Sequence, residues 1–370
     1  MTTDEAYIVL NLLPQVGAAR VRKLLEVFGS PQAILSATAD RIRSVGGFGS
    51  ELARTIRSWE ETIDLGRELG RIQDVGADIV TWDSADYPEM LREIPSPPLV
   101  LYVRGTLEKR DRHAVAIVGS RRATSYGLTC AKKLGFQLAH ANVTVISGLA
   151  RGIDTAAHEA ALAAKGRTIA VIGSGLGKLY PPENQALADR IANGGGAVVT
   201  EFPVDYPPDK QSFPLRNRIV AGWGQGVLVV EAPQRSGSLI TAGQALDYGR
   251  NVYAIPGPID RPTSQGANAL IQNGARLVVD VGDILNDMEL LFPEMREARS
   301  TSGSEKSAPP ANLTVEERAI YDFLEASETQ LDAIIAAIGL PPAVVSSTLL
   351  RLEMKRLVKQ LPGSHFVKLV

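Results

Sequence analysis

Between residues 115 and 241 one local pattern recurs: about four apolar residues, a turn of glycine and serine, then a helical spacing. Val115-Ala-Ile-Val-Gly-Ser-Arg-Arg-Ala-Thr-Ser-Tyr-Gly127 reads as a buried strand ending in a glycine turn, with a helix beginning near Ser125. Ile146-Ser-Gly-Leu-Ala-Arg-Gly-Ile-Asp-Thr-Ala-Ala-His158 repeats the design, as does Val171-Ile-Gly-Ser-Gly-Leu-Gly177. Val227-Leu-Val-Val-Glu-Ala232 then leads into Ser236-Gly-Ser-Leu-Ile-Thr241. Apolar runs that short, without alternation, fit strands buried on both faces. The chain is therefore expected to form an α/β fold, an open parallel sheet with helices on both sides.

Ligands of such sheets lie beyond the carboxyl ends of the strands, where glycine turns expose N–H groups and helix N-termini favour negative charge. Arg121, Arg122, Arg151, Lys178, Lys210, Arg216, Arg218 and Arg235 lie in or beside those turns, on a chain of formal net charge -2. One rim should be basic and its ligand polyanionic. In Phe213-Pro-Leu-Arg-Asn-Arg-Ile-Val-Ala-Gly222 two arginines and an asparagine stand between a proline turn and a buried strand, with Phe213, Leu215, Ile219 and Val220 as anchors. Planar guanidinium forks suit phosphate oxygens. The alternative is that Arg216 and Arg218 satisfy carboxylates such as Glu201 or Glu231. Backbone N–H groups at Gly119-Ser120, Ser147-Gly148 and Ser236-Gly237-Ser238 complete the expected phosphate contacts, glycine allowing close approach. Asn217 is expected to fix the loop or touch a base edge.

The rest of the composition narrows the function. A chain of 370 residues, 45% hydrophobic, holds two or three packed domains. No apolar stretch nears the roughly 18 residues of a membrane span, and MTTDEAYIVL is acidic where a signal peptide is basic. A cytoplasmic protein with no membrane partner is expected. The single Cys130 excludes an internal disulfide or a cysteine cluster, and His113, His140, His158 and His365 are scattered. Neither metal nor other cofactor is expected.

Changes of period give the domains. Residues 1–75 are helical and contain two similar units, Leu13-Pro-Gln-Val-Gly17 before Ala18 to Phe28, and Val45-Gly-Gly-Phe-Gly49 before Ser50 to Trp59. Both resemble helix-hairpin-helix elements, whose N–H groups touch phosphates; a bundle used for packing or protein contacts is equally compatible. The sheet domain spans 76–291, with Asp78-Ile-Val-Thr-Trp82 and Leu99-Val-Leu-Tyr-Val103 extending one edge. Residues 296–311, rich in Ser, Ala, Pro and charge, read as a flexible linker. In 312–370, Thr314 and Glu317 form a capping box for a helix through Ala326. Ser327 caps a second helix through Ile338, Pro341 to Lys355 is a third, and a hairpin turns at Pro362-Gly363-Ser364. That order makes a winged helix, whose third helix carries Ser346, Ser347, Arg351 and Lys355 for duplex or protein contact.

The motifs VAIVGSRRATSYG, SGLARGIDTAAH, GSGLGKLYPPEN, TEFP, FPLRNRIVAG, EAPQRSGSLITAGQA and AIPGPI follow one another as in the DNA-processing protein A (Dpr/Smf) family, which the chain resembles from about Gly105 to Asp280. The resemblance implies an extended Rossmann-like sheet, a helix-hairpin-helix or SAM-like domain before it, and a winged helix after it. It implies a bacterial protein that binds single-stranded DNA without strong sequence preference and loads the RecA recombinase during natural transformation. Gly266 to Leu277 resembles the family's self-association segment, so Leu270, Ile271 and Leu277 are expected in a homodimer interface; they are equally ordinary core positions. Where some relatives have lysine after Tyr-Pro, this chain has Tyr180-Pro-Pro-Glu-Asn184, which moves that contact to Lys178 or removes it.

Enzyme readings are weaker. Gly173-Ser-Gly-Leu-Gly-Lys178 lacks the spacing of a Walker A loop and the last glycine of a dinucleotide fingerprint. No GxSxG elbow surrounds Ser147, Ser174 or Ser236, and His158 reads as a packed helix residue near Asp154. The rival is a nucleotide-processing enzyme resembling the lysine-decarboxylase-like phosphoribohydrolases. Their PGGxGT loop precedes a catalytic glutamate, whereas Ser236 to Thr241 is followed by Ala242 to Leu246, without a carboxylate. Asp154, Glu183 and Glu231 remain available.

Overall fold

A computed structural model describes residues 1–291, 313–324, 329–355, 357–361 and 365–368. The recurring apolar runs become the centre of a nine-stranded sheet, its strands β1 (Asp78–Thr81), β2 (Val100–Gly105), β3 (Ala114–Val118), β4 (Thr144–Ser147), β5 (Thr168–Val171), β6 (Gly196–Thr200), β7 (Gly226–Val229), β8 (Asn251–Ala254) and β9 (Arg276–Leu277). They lie in the order β1-β2-β6-β5-β4-β3-β7-β8-β9. From β6 to β9 neighbours are parallel, whereas β1–β2 and β2–β6 are antiparallel. From β3 the chain goes to β4 on one side and later returns to β7 on the other, so the topological switch point lies between β3 and β7.

Successive residues of a strand face opposite sides, and both sides are covered. Ala116, Val118, Ile146, Val171 and Val227 pack with Ile219, Trp223, Ala242 and Ala267. Val115, Ile117, Val145 and Leu228 pack with Leu134, Leu138, Ala157 and Ile284. The helices on this second face are α9 (Ser125–His140), α10 (Ile153–Ala163) and α15 (Gly282–Leu291); α12 (Ser212–Trp223), α13 (Gly237–Asp247) and α14 (Gln265–Gln272) cover the first. Helix α9 starts where the sequence places it, with the Thr124 hydroxyl accepting the Gly127 N–H at 3.2 Å.

Seven helices precede the sheet: α1 (Thr3–Leu12), α2 (Ala18–Phe28), α3 (Pro31–Ser36), α4 (Ala39–Arg43), α5 (Ser50–Arg57), α6 (Trp59–Thr62) and α7 (Leu65–Asp74). Helices α2 and α5 begin after Gly17 and Gly49, the last glycines of the two hairpin motifs. The apolar core of these helices includes Leu99, Val100 and Tyr102 at β2. Thr81 donates to Asp4 at 2.8 Å and Tyr7 to Asp83 at 2.7 Å. The antiparallel edge is thus covered by helices instead of being left open.

Two elements differ from expectation. The Phe213–Gly222 run is helix α12, not a turn entering a strand. Arg216, Ile219, Val220 and Trp223 recur at helical spacing on its buried side, Leu215 is exposed instead of anchoring, and Pro214 is tolerated in the first turn. After β5, two short 3-10 turns, Leu176–Lys178 and Pro182–Asn184, precede α11 (Gln185–Arg190), so that crossover begins with a longer loop.

The chain divides into two compact units, Met1–Met295 and Arg296–Val370. In the second, the box at Thr314 forms as read, with Glu317 N–H to Thr314 at 3.3 Å and Thr314 N–H to Glu317 at 2.8 Å. Its helices are Val315–Phe323, Leu331–Ile338 and Pro342–Met354. The second starts later than expected because Thr329–Gln330 forms strand β10, paired with Phe366 and His365. Strands β11 (Val358–Leu361) and β12 (His365–Lys368) make the hairpin of a winged helix. The 296–311 linker, Ser327 and the Pro362–Ser364 turn lie outside the described residues.

Candidate nucleic-acid interface

The loop from β4 to α10 is held from beneath. Ser147 is fully buried and its hydroxyl donates to Ile117 O at 2.6 Å. The N–H groups of Gly148 and Ala150 point at Asp154 Oδ2, at 3.1 and 3.3 Å. Leu149 is buried with φ +56°, a conformation that costs energy for a large side chain. The expectation that Ser147 and Gly148 offer N–H groups to a phosphate is therefore corrected: Asp154 has the Gly148 donor, and Ser147 lies in the core.

Arg216 reaches this loop from α12. It is 4% exposed, and its Nη1 donates to Gly148 O at 2.6 Å and to Val171 O, tying the ends of β4 and β5 together. A Cβ on Gly148 would lie 2.6 Å from the guanidinium, which explains the glycine. Burial lowers the Arg216 pKa to about 10, against the opposing attraction of Asp154. Burial raises the Asp154 pKa to about 6, opposed by Arg216 and by the two N–H groups. Arg216 stays charged, but as a pin with one face on the rim, not a free phosphate fork. Asn217 joins the starts of two helices: it accepts from Arg216 Nε at 3.2 Å and donates to Gly237 O at 3.4 Å.

Arg218 takes the structural alternative. It grips Glu201 through two bonds of 2.8 and 2.6 Å, with the side chains 11% and 14% exposed, so its role as a free phosphate ligand is corrected. Arg151 pairs with Glu183, both half-exposed. Arg121 is different. It is exposed, has no carboxylate partner among the described residues, and lies 5.2 Å over the Phe213 ring, which is 5.8 Å from Tyr180. Arg121, Arg151, Arg216 and Gly148 border one small cleft with Tyr180 and Phe213, about 20 Å³ in volume. Nucleotide and cofactor sites are usually several hundred Å³. The cleft has room for oxygens of a phosphate, not for a nucleotide.

Arg122, Lys178, Lys210 and Arg235 are exposed and make no ion pair among the described residues. Ser236 caps α13, accepting the Ser238 N–H at 3.3 Å, and Gly237 is exposed. Gly119 packs against the next loop, where a Cβ would meet Ile153 Cγ1 at 2.6 Å; the Ser120 N–H is bonded to Glu231 O at 2.7 Å. The aromatic pair Tyr180 and Phe213 was missed in the sequence, although both stand beside motif prolines. Asp154 was weighed there only as an available carboxylate for an enzyme, yet its place in the first turn of α10 is where a carboxylate collects loop N–H groups.

His158 is buried, 2.6 Å from the Thr168 hydroxyl, and burial pushes its pKa down to about 3, so it is neutral at physiological pH. Leu270 and Ile271 are partly buried against the sheet core, whereas Leu277 is 42% exposed on the edge strand β9. In the second unit Ser346, Ser347 and Arg351 are exposed. Lys355 instead bonds the buried Glu317 at 2.7 Å. Among the described residues no single helix is long and apolar enough to cross a membrane, and no group of three His, Cys, Asp or Glu is placed to hold a metal.

Residues 78–289 match the family model for DNA recombination-mediator protein A, 304–364 the DprA winged helix domain, and 9–58 a SAM-like helix-hairpin-helix tandem. Protein Smf of Synechocystis sp. is 33% identical over 98% of both chains. The solved DNA processing protein A of Streptococcus pneumoniae superposes with a TM-score of 0.68 at 35% identity, over 77% of this chain and 98% of that one. That of Helicobacter pylori, whose structure gives insight into its single-stranded DNA binding mode, superposes with a TM-score of 0.52 at 29% identity, over 58% and 97%. The matched family is one of DNA-binding mediators, not of enzymes. With its sheet, its two flanking modules and near full-length similarity to Smf all in agreement, the chain belongs to the DNA recombination-mediator protein A family.

Proposed function

We propose that this chain binds single-stranded DNA along the carboxyl rim of its sheet, without strong sequence preference, and loads the RecA recombinase onto it in natural transformation and recombination. The observation that carries this reading is Arg121, exposed and unpaired by any carboxylate among the described residues, held over Phe213 above a cleft bordered by Arg216. A cation held by a ring instead of an acid keeps its charge for a phosphate, and neighbouring rings offer a face to a base. Arg122, Lys178 and Lys210 extend the phosphate track, and the head of α13 at Ser236 and Gly237 adds N–H groups, whereas the Ser238 N–H is spent on the Ser236 cap. Arg151 joins when a phosphate competes for it with Glu183. The single-stranded DNA binding mode described for the Helicobacter pylori protein supports this choice of ligand.

In the same reading the domains fall at 1–75, 76–291 and 312–370, the protein is cytoplasmic, and a homodimer forms through Leu270, Ile271 and Leu277. Fluorescence anisotropy with labelled oligo(dT) over a range of salt tests the site. Contact with four phosphates gives a log K against log salt slope of about -3. The Arg121→Ala/Lys178→Ala/Lys210→Ala variant, folded by circular dichroism, should lose at least about tenfold in affinity. Salt-independent binding, or none by folded wild type, sinks the reading. RecA loading is tested separately, by whether the protein accelerates RecA filament assembly on the same oligonucleotide.

A further inference from the structure

Glu231 follows β7 at the switch point of the sheet. Its carbonyl accepts the Ser120 N–H at 2.7 Å. Its side chain, 3% exposed, turns to the first turn of α9, where Oε2 accepts from both the N–H and the hydroxyl of Thr124 at 3.0 Å. Oε1 is buried and has no hydrogen-bond partner among the described residues. Two glycines of the first strand-turn-helix motif make the room. A Cβ on Gly127 would overlap Oε2, and one on Gly119 would stand 3.0 Å from the Glu231 carbonyl.

Nucleotide-binding sheets hold a phosphate in this place: at the N-terminus of the helix after the first central strand, at the switch point, with glycines allowing close approach. Here a carboxylate of the chain has taken it. We propose that Glu231 is a built-in anion. It closes the phosphate position at the head of α9 to nucleotides, and its two grips, at Ser120 and Thr124, fix both ends of the loop that carries Arg121 and Arg122. Glu231 is then a positioning residue for the DNA rim, and this second part rests on the proposed function.

The test compares wild type, Glu231→Ala and Glu231→Gln. Melting temperature is measured in inorganic phosphate and in chloride of equal ionic strength. Glu231→Ala leaves the helix head open, so phosphate should raise its Tm by a few degrees over chloride, by mass action on the folded state. Wild type and Glu231→Gln, whose amide oxygen still accepts from Thr124, should show only the smaller rise that the cationic rim and the salting-out action of phosphate give every form. With oligo(dT), Glu231→Ala should bind at least about tenfold more weakly, with a salt slope shallower by about 0.7, the share of one phosphate. Glu231→Gln should restore both.

A general loss of packing would lower Tm without a phosphate-specific recovery and without Gln rescue. If Glu231→Ala does not fold in chloride, recovery of the fold in phosphate carries the same information, and its absence counts against the built-in anion. A phosphate effect equal in wild type and variant overturns it. Unchanged DNA affinity and slope in folded Glu231→Ala overturns the positioning role. Failure of wild type to bind oligo(dT) removes the proposed function but leaves the phosphate comparison decisive for the anion.

Discussion

Asp154 and Arg216 carry opposite charges where little water reaches either, Asp154 being 6% and Arg216 4% exposed. Burial raises the Asp154 pKa to about 6, above its value near 4 in an unfolded chain. A raised carboxyl pKa means that the fold prefers the protonated form. This contribution to stability is present below pH 4 and is lost as pH rises through 6. Urea unfolding of wild type and Asp154→Asn at several pH values isolates it, since Asn keeps an oxygen for the Gly148 and Ala150 N–H groups. Between pH 4 and pH 7 wild type should lose roughly 2 kcal/mol relative to the variant. A relative gain over that interval would mean that Arg216 holds Asp154 charged. Burial also holds the His158 pKa down at about 3, which costs stability as pH falls below about 6.5, but His158 is present in both proteins and cancels in the comparison. Arg218 and Arg121 make a second contrast. Arg218→Ala strands the half-buried Glu201 and should cost about 2–3 kcal/mol, whereas Arg121→Ala should stay within about 0.5 kcal/mol while weakening oligo(dT) binding. Both arginines sit in basic motifs of similar character, one in a loop and one in helix α12, and the sequence could not separate them. What decides is a carboxylate at the end of another strand, Glu201 after β6, and a ring, Phe213, brought over by α12.

Helix starts and buried strands were legible where one local device specifies them. Thr124 and Thr314 each cap a helix through their own side chain; the sequence placed the first start near Ser125 and named Thr314 as the cap of the second. Helix α12 was not, because a proline beside an apolar run looks like a turn entering a strand, and only packing on the sheet reveals that its period is helical. The helix Leu331–Ile338 starts late for a similar reason: Thr329 and Gln330 pair with a strand 35 residues or more downstream, a partner no local signal announces. The capping box therefore offers a test confined to one element. Thr314→Ala removes an acceptor from the first turn of helix Val315–Phe323 and should cost about 1 kcal/mol. Hydrogen exchange should quicken in the amides of that helix while those of β3 and β7 stay protected to the wild-type degree. Equal loss in the central sheet would show that the helix does not unfold as a local unit.

The two edges of the whole sheet are treated differently. At one, β1 and β2 are covered by the helices of residues 3–74, which share a core with β2. At the other, β9 has two residues, with Leu277 on it 42% exposed and Val279 just beyond it 68% exposed. So short an edge has few backbone groups to pair with another strand, which limits uncontrolled sheet extension. Association there has to come from side chains on β9 and beside it. That makes Leu277 a better probe of the proposed homodimer than Ile271, because Ile271 is partly buried against the sheet core and its replacement by arginine disturbs the fold whether or not a dimer exists. Leu277→Arg should retain the wild-type circular dichroism and melting temperature while sedimenting as a monomer at concentrations where wild type is a dimer. The linked consequence is in DNA binding: two rims on one oligonucleotide raise the effective local concentration, so the monomer should bind a long oligo(dT) more weakly but a short one equally well. A folded Leu277→Arg protein that sediments as wild type does, with both affinities unchanged, would place the dimer contact elsewhere or remove it.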